Sequence, residues 1–128
     1  MIVVDSSALV EIIRDGGRAG ECIDALESAE IVRMSAGTMK ESLIVATGHE
    51  AKRPLAALFE RFGIEVLPVT RERAIAAAEA YGRYGKGWHA AGLNFGDCFA
   101  YGLAMELDWP LLFIGEDFSL TDVKSALS

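Results

Sequence analysis

Several absences narrow the class of this chain before any motif is considered. No apolar run approaches the roughly 18 residues that a membrane-spanning helix needs, so no membrane role is expected. The opening Met1-Ile-Val-Val-Asp5 has neither a basic n-region nor a cleavage-site pattern, and the expected compartment is cytoplasmic. Cys22 and Cys98 are the only cysteines, without a CxxC or a Cys/His cluster. Two reduced, partly buried thiols are expected rather than a disulfide or a zinc site. There is no repeat, no low-complexity stretch and no linker rich enough in Pro, Gly or Ser to divide the chain. Its 128 residues are read as one domain, 1–128.

A basic excess is missing too. Lys and Arg number 12 against 19 Asp and Glu, for a net charge of −7 and a pI near 4.8. That balance argues against non-specific binding to phosphate. It is also what a chain shows when it gathers carboxylates around a divalent cation, which then presents positive charge to a phosphate. A hydrophobic content of 52% with 24% charged residues describes a folded globule.

What is present alternates between strand and helix. Ile2-Val3-Val4 reads as a short buried strand, and Asp5, Ser6 or Ser7 caps a helix carrying Leu9, Val10 and Ile13. A second helix runs through Cys22 and Leu26, and Ile31-Val32 reads as a strand. Ser35 is a suitable N-cap for a helix over 36–47, and another helix is expected over 54–62, closed by Gly63. A strand over 64–67 precedes Thr70, which caps an alanine-rich helix. Residues 82–93 read as a Gly-rich loop, Asn94-Phe-Gly-Asp97 opens a helix through Met105, and Leu111-Leu-Phe-Ile114 is the last strand. Such alternation predicts an α/β fold with a mainly parallel sheet covered on both faces. Ligands of open α/β sheets bind beyond the carboxyl ends of the strands. Asp5 follows the first strand there, and Glu116 and Asp117 follow the last.

Taken singly, each acid has an ordinary explanation. Asp5 suits a helix cap, Glu41 a solvated helix face, Asp97 the positive end of a helix dipole, and Glu116 and Asp117 a turn. As a set they suggest more. Magnesium and manganese take oxygen ligands, usually one or two carboxylates plus water and substrate phosphate. Carboxylates gathered at one sheet end repel one another unless a cation lies among them.

Four segments together resemble the PIN-domain family, specifically the VapC-type toxins. They are Ile2-Val-Val-Asp5-Ser-Ser-Ala-Leu-Val10, Ser35-Ala-Gly-Thr-Met-Lys-Glu41, Leu93-Asn-Phe-Gly-Asp97-Cys-Phe-Ala-Tyr101 and Leu111-Leu-Phe-Ile-Gly-Glu-Asp117-Phe-Ser-Leu-Thr-Asp122. The last two are the more specific, and the resemblance extends from Ile2 to Val123. It implies a PIN-like three-layer sandwich and a metal-dependent endoribonuclease of a type II toxin–antitoxin pair. Asp5, Glu41, Asp97 and Asp117 would form its acidic quartet. Asp5 and Asp97 would be the principal ligands of Mg2+ (or Mn2+), with Glu41 and Asp117 acting directly or through water. Asp117 is preferred to its neighbour Glu116 because it directly precedes Phe118. Ser6 or Ser7 would hydrogen-bond the first carboxylate or the scissile phosphate, and Asp122 would cap or stabilise a final short helix. The implied reaction is in-line attack of a metal-activated water, leaving 5′-phosphate and 3′-hydroxyl ends, without a histidine base.

The implied partners are a VapB-type antitoxin, which places a basic side chain into the acidic pocket, an RNA substrate and a second copy of the chain. Leu9, Val10, Ile12 and Ile13 outnumber what one buried stripe needs and could form a groove for an antitoxin helix, or could all face the core. Arg83, Lys86, Trp88 and His89 could touch unstacked bases and phosphates; a solvated loop is the plainer role for His89. Arg71 and Arg73, early in a helix, are less telling. The main alternative is a catalytically silent PIN domain acting as a binding module, which loss of Asp5 or Asp97 would have favoured. A phosphatase with an aspartate nucleophile would want a second aspartate two residues after the first, where Ser7 stands. A receiver-like signalling domain would need paired acids at the first site, and they are not there.

Overall fold

The computed structural model describes residues 1–87 and 89–127, arranged as four strands and six helices. Strands β1 (Ile2–Val4), β2 (Val32–Ser35), β3 (Glu65–Leu67) and β4 (Leu111–Leu112) form one sheet in the order β3-β2-β1-β4, with every pairing parallel. Val3 aligns with Arg33 on one side and Leu111 on the other, so β1 is an interior strand and apolar throughout.

Side-chain alternation along β1 divides the interior in two. Ile2 and Val4 face a core with Leu9, Cys22, Leu26, Met34 and Leu55, beneath α1 (Ser6–Ile13), α2 (Ala19–Ser28), α3 (Ala36–Gly48) and α4 (Lys52–Arg61). Val3 faces the other core, with Ala80, Leu93, Tyr101, Leu103, Leu111 and Phe118, beneath α5 (Arg71–Tyr84) and α6 (Asp97–Leu107). This α/β/α sandwich is the layering expected from the alternation. Both cysteines are buried free thiols, and burial pushes each pKa up to about 11, which suits inert packing rather than redox chemistry. Among the described residues, no helix is long and apolar enough to cross a membrane.

Boundaries moved where tertiary packing overrode local signals. β2 runs on through Met34 to Ser35, which is both the last strand residue and the N-cap of α3, its hydroxyl accepting the Gly37 N–H at 3.1 Å. α4 starts at Lys52 rather than Pro54, since proline is tolerated in a first turn where its missing N–H is not used. Thr70 caps α5 as expected, but the helix continues past Gly82 to Tyr84, with Ala77 and Ala80 buried against the second core. No final helix forms among the described residues, and Asp122 does not cap one. It accepts the Tyr101 hydroxyl at 2.5 Å instead.

The chain builds the sheet outward from β1 to β3, then returns to place β4 on the other side of β1. That reversal puts a topological switch point at the carboxyl ends of β1 and β4, the place where open α/β sheets bind ligands.

Candidate active site

Asp5 leaves β1 at this switch point, its N–H still bonded to the Leu112 carbonyl at 2.9 Å. The residue is 3% exposed. One carboxylate oxygen caps α1, taking the Ser7 N–H at 3.1 Å and the Ser7 hydroxyl at 2.6 Å. The other, Oδ1, is buried with no hydrogen-bond partner. Capping thus occupies one oxygen of Asp5 and leaves the other without a partner. Burial first, with the nearby Glu41 charge adding, raises its pKa to about 6 against the bonds from Ser7.

Glu41 projects from α3, half-buried, and Ser6 donates to its Oε1 at 2.8 Å. Ser6 and Ser7, adjacent at the start of α1, therefore serve different acids, Ser6 holding Glu41 and Ser7 holding Asp5.

Asp97 begins α6 and is also buried. Its Oδ2 accepts the Asn94 N–H at 3.0 Å while the Asn94 side-chain oxygen accepts the Asp97 N–H at 2.9 Å. This reciprocal cap resembles a capping box, and it pins the acid in place. Asn94 was not singled out from sequence, although an Asn three residues before a helical acid is a readable signal. Burial raises the Asp97 pKa to about 7; the Asn94 N–H opposes this, and the charges of Asp5, Asp117 and Glu41 add to it. The other three acids of the expected quartet thus come within electrostatic reach of Asp97.

Asp117 lies on the turn after β4, exposed, next to a buried Phe118 that packs on Phe113 at 5.1 Å between centroids. Gly115, at φ +102°, makes the turn possible. The neighbouring Glu116 faces its own turn, with the Ser119 hydroxyl on its backbone carbonyl at 2.7 Å and 3.2 Å from its carboxylate. The segment beyond is fixed by Tyr101 to Asp122, and Arg83 approaches the Tyr101 oxygen at 3.4 Å.

The donor set fits a hard cation. Oxygen ligands predominate, one buried carboxylate oxygen is left unpaired, and two carboxyl pKa values are held high by burial and mutual repulsion. Among the described residues, no three Asp, Glu, His or Cys side chains converge tightly enough to hold an ion by themselves. That is compatible with magnesium, which keeps several waters and uses substrate phosphate to complete its shell.

The other sequence candidates are dispersed. His89 is exposed; its Nδ1 accepts the Ala91 N–H at 2.9 Å and its ring meets Tyr84 edge-on. Trp88 lies outside the described residues. Arg73 is committed to Glu106 through two bonds of 3.0 Å, and Arg71 is exposed. On α1, Leu9 is wholly buried, whereas Val10, Ile12 and Ile13 stay half-exposed; Val10 and Ile13 line a shallow groove with Val45 and His49.

Comparison with known proteins agrees with this architecture. The model of the PIN domain family matches residues 2–124. Ribonuclease VapC30 of Mycobacterium tuberculosis is 42% identical over 127 residues, covering 97% of each chain. The crystal structure of Mycobacterium tuberculosis VapC20, described as a toxin cleaving the sarcin–ricin loop, superimposes with a TM-score of 0.77 at 20% identity, covering 96% of each chain. A toxin–antitoxin complex from Klebsiella pneumoniae contains a chain that matches with a TM-score of 0.70 at 16% identity, over 95% of this chain and 93% of that one.

Proposed function

Since this chain belongs to the PIN-domain family, in its VapC branch, we propose that it is an endoribonuclease and the toxin of a type II toxin–antitoxin pair. The observation that carries the mechanism is the unpaired, buried Oδ1 of Asp5, a carboxylate within electrostatic reach of Glu41 and Asp97. Asp5 and Asp97 would hold Mg2+, with Mn2+ as a substitute, and Glu41 and Asp117 would assist directly or through water. When bound, the ion supplies positive charge and Lewis acidity for in-line hydrolysis of a phosphodiester, yielding 5′-phosphate and 3′-hydroxyl ends.

The chain's own residues orient and exclude. Ser7 and Asn94 fix the two principal carboxylates, and burial of both keeps bulk water from dispersing their charge. A net charge of −7 means that RNA approaches productively only where the acids are neutralised. No side-chain base is assigned.

The same acids suit the antitoxin. An arginine from a VapB-type partner pairs with them and obstructs the metal, while an amphipathic segment lies along the half-exposed Val10 and Ile13. A second copy fits a different face. Phe95, 79% exposed, stands between a hollow of about 390 Å³ lined by Ala74, Ala78 and Tyr81 and one of about 350 Å³ lined by Lys40 and Ile44. A knob beside hollows on one patch is what a two-fold, self-complementary interface requires.

The deciding experiment is cleavage of total RNA by purified, antitoxin-free protein with magnesium or EDTA, with Asp97→Asn in parallel. Discrete fragments that need both metal and Asp97 support the assignment. No cleavage by folded, metal-loaded protein favours the silent binding module instead.

A further inference from the structure

Gly96 has no conformational reason to be glycine. Its φ of −69° and ψ of −38° are ordinary helical values that any residue adopts. Alanine there would lose less backbone entropy on folding and favour the start of α6. Space provides the reason. A Cβ built on Gly96 falls 2.3 Å from Oε2 of Glu41 and 2.7 Å from its Cδ, well inside van der Waals contact. The Glu41 carboxylate therefore lies against the bare Cα of Gly96, with Ser6 donating to its other oxygen at 2.8 Å. Two elements from opposite ends of the chain grip one acid between them.

We infer that Gly96 is a positioning residue: the absence of its side chain, together with the Ser6 hydroxyl, sets where the Glu41 carboxylate stands relative to Asp5 and Asp97. This deepens the reading of the site as a metal-dependent nuclease and rests on it. The atom that a methyl group at position 96 would meet is the far end of a flexible side chain, not backbone. Gly96→Ala therefore folds normally and expels the carboxylate instead. It separates the stability of the protein from the arrangement of its acids, which few substitutions this close to a catalytic centre do.

Three readouts test this. A crystal structure of metal-free Gly96→Ala is expected to show Glu41 swung away from Ser6, with a melting temperature equal to or above that of the wild type. Affinity for Mn2+, measured by calorimetry, and the rate of RNA cleavage are each expected to fall roughly 10- to 100-fold, the usual cost of losing a group that orients a ligand. In a Glu41→Ala background, where the space is vacant, adding Gly96→Ala is expected to change Mn2+ affinity no further. An undisplaced Glu41, unchanged affinity, or an equal loss in the Glu41→Ala background would each overturn the inference. Should the wild type cleave no RNA, the nuclease reading fails separately, and the metal-free structure still decides whether Gly96 positions Glu41.

Discussion

The hydroxyl of Ser7 accepts the backbone N–H of Ile114 at 3.0 Å while donating to Asp5 at 2.6 Å. One side chain thereby links the acid at the end of β1 to the segment leaving β4, where Asp117 lies. Ser7→Ala leaves the Ile114 N–H unpaired in a half-buried setting. The expected cost is about 1–3 kcal/mol of stability by denaturant unfolding. A fall in cleavage of roughly 10- to 100-fold is also expected, because Asp5 loses the bond that orients it. Ser7→Thr keeps the hydroxyl and should retain most of both; a threonine variant as damaged as the alanine one would argue against the hydrogen bond as the cause.

Tyr101 to Asp122 is the second tie on the Asp117 segment. Tyr101→Phe removes it while keeping the buried ring, and about 1 kcal/mol of stability should go with it. Hydrogen exchange of amides 116–123 should quicken more than that of β1. Uniform protection across both would show that Phe118 alone anchors the segment.

Asp97→Asn should remove cleavage down to background and also raise the melting temperature of the metal-free protein at pH 8. The amide keeps an acceptor for the Asn94 N–H but carries no charge among Asp5, Glu41 and Asp117. Thermal unfolding in EDTA checks this, and a lower melting temperature would show that the carboxylate is structural.

The pH dependence of the metal-free protein has a defined sign. Asp5 and Asp97 titrate near 6 and 7 when folded, above the ordinary value of 3.8, so the folded state holds more protons than the unfolded state in between. Stability from these groups is full below about pH 4 and is lost as pH rises through 6 to 7. Melting temperature in EDTA should therefore fall between pH 5 and pH 8, and magnesium should restore it most at the alkaline end. A profile that rises over that interval would contradict the burial of these acids.

His89→Ala should leave cleavage chemistry largely intact, since the ring lies exposed against Tyr84. A loss as severe as that of Asp97→Asn would reveal His89 as a catalytic base. Phe95→Asp should shift the sedimenting mass from dimer to monomer; a wild type that is already monomeric at micromolar concentration would remove the proposed self-association.

The fold was legible wherever one residue carried a local instruction. Ser35 and Thr70 cap the helices expected of them, and the apolar run before Asp5 becomes the interior strand. Instructions that depend on distant packing were not legible. The continuation of α5 through Gly82 is set by burial of Ala77 and Ala80, and the fate of Asp122 by a tyrosine 21 residues away. Candidates for an acidic quartet could be named from motif resemblance, but the hydrogen bonds that hold them could not. Gly96 looks like a helix-start glycine until the position of Glu41 is known, and two adjacent serines give no hint that they serve different acids.

The return of the chain to lay β4 beside β1 also sets a timetable. The four acids stand at positions 5, 41, 97 and 117, and the strand that brings the last of them into place is the last to be synthesised. A growing polypeptide that ends before β4 carries an incomplete set, with the far side of β1 open. Asp117 therefore joins the other three acids only when Leu111 and Leu112 pair with Val3 and Val4. On the proposed reading, a chain that has not yet made that pairing lacks one of the acids it needs to cleave RNA.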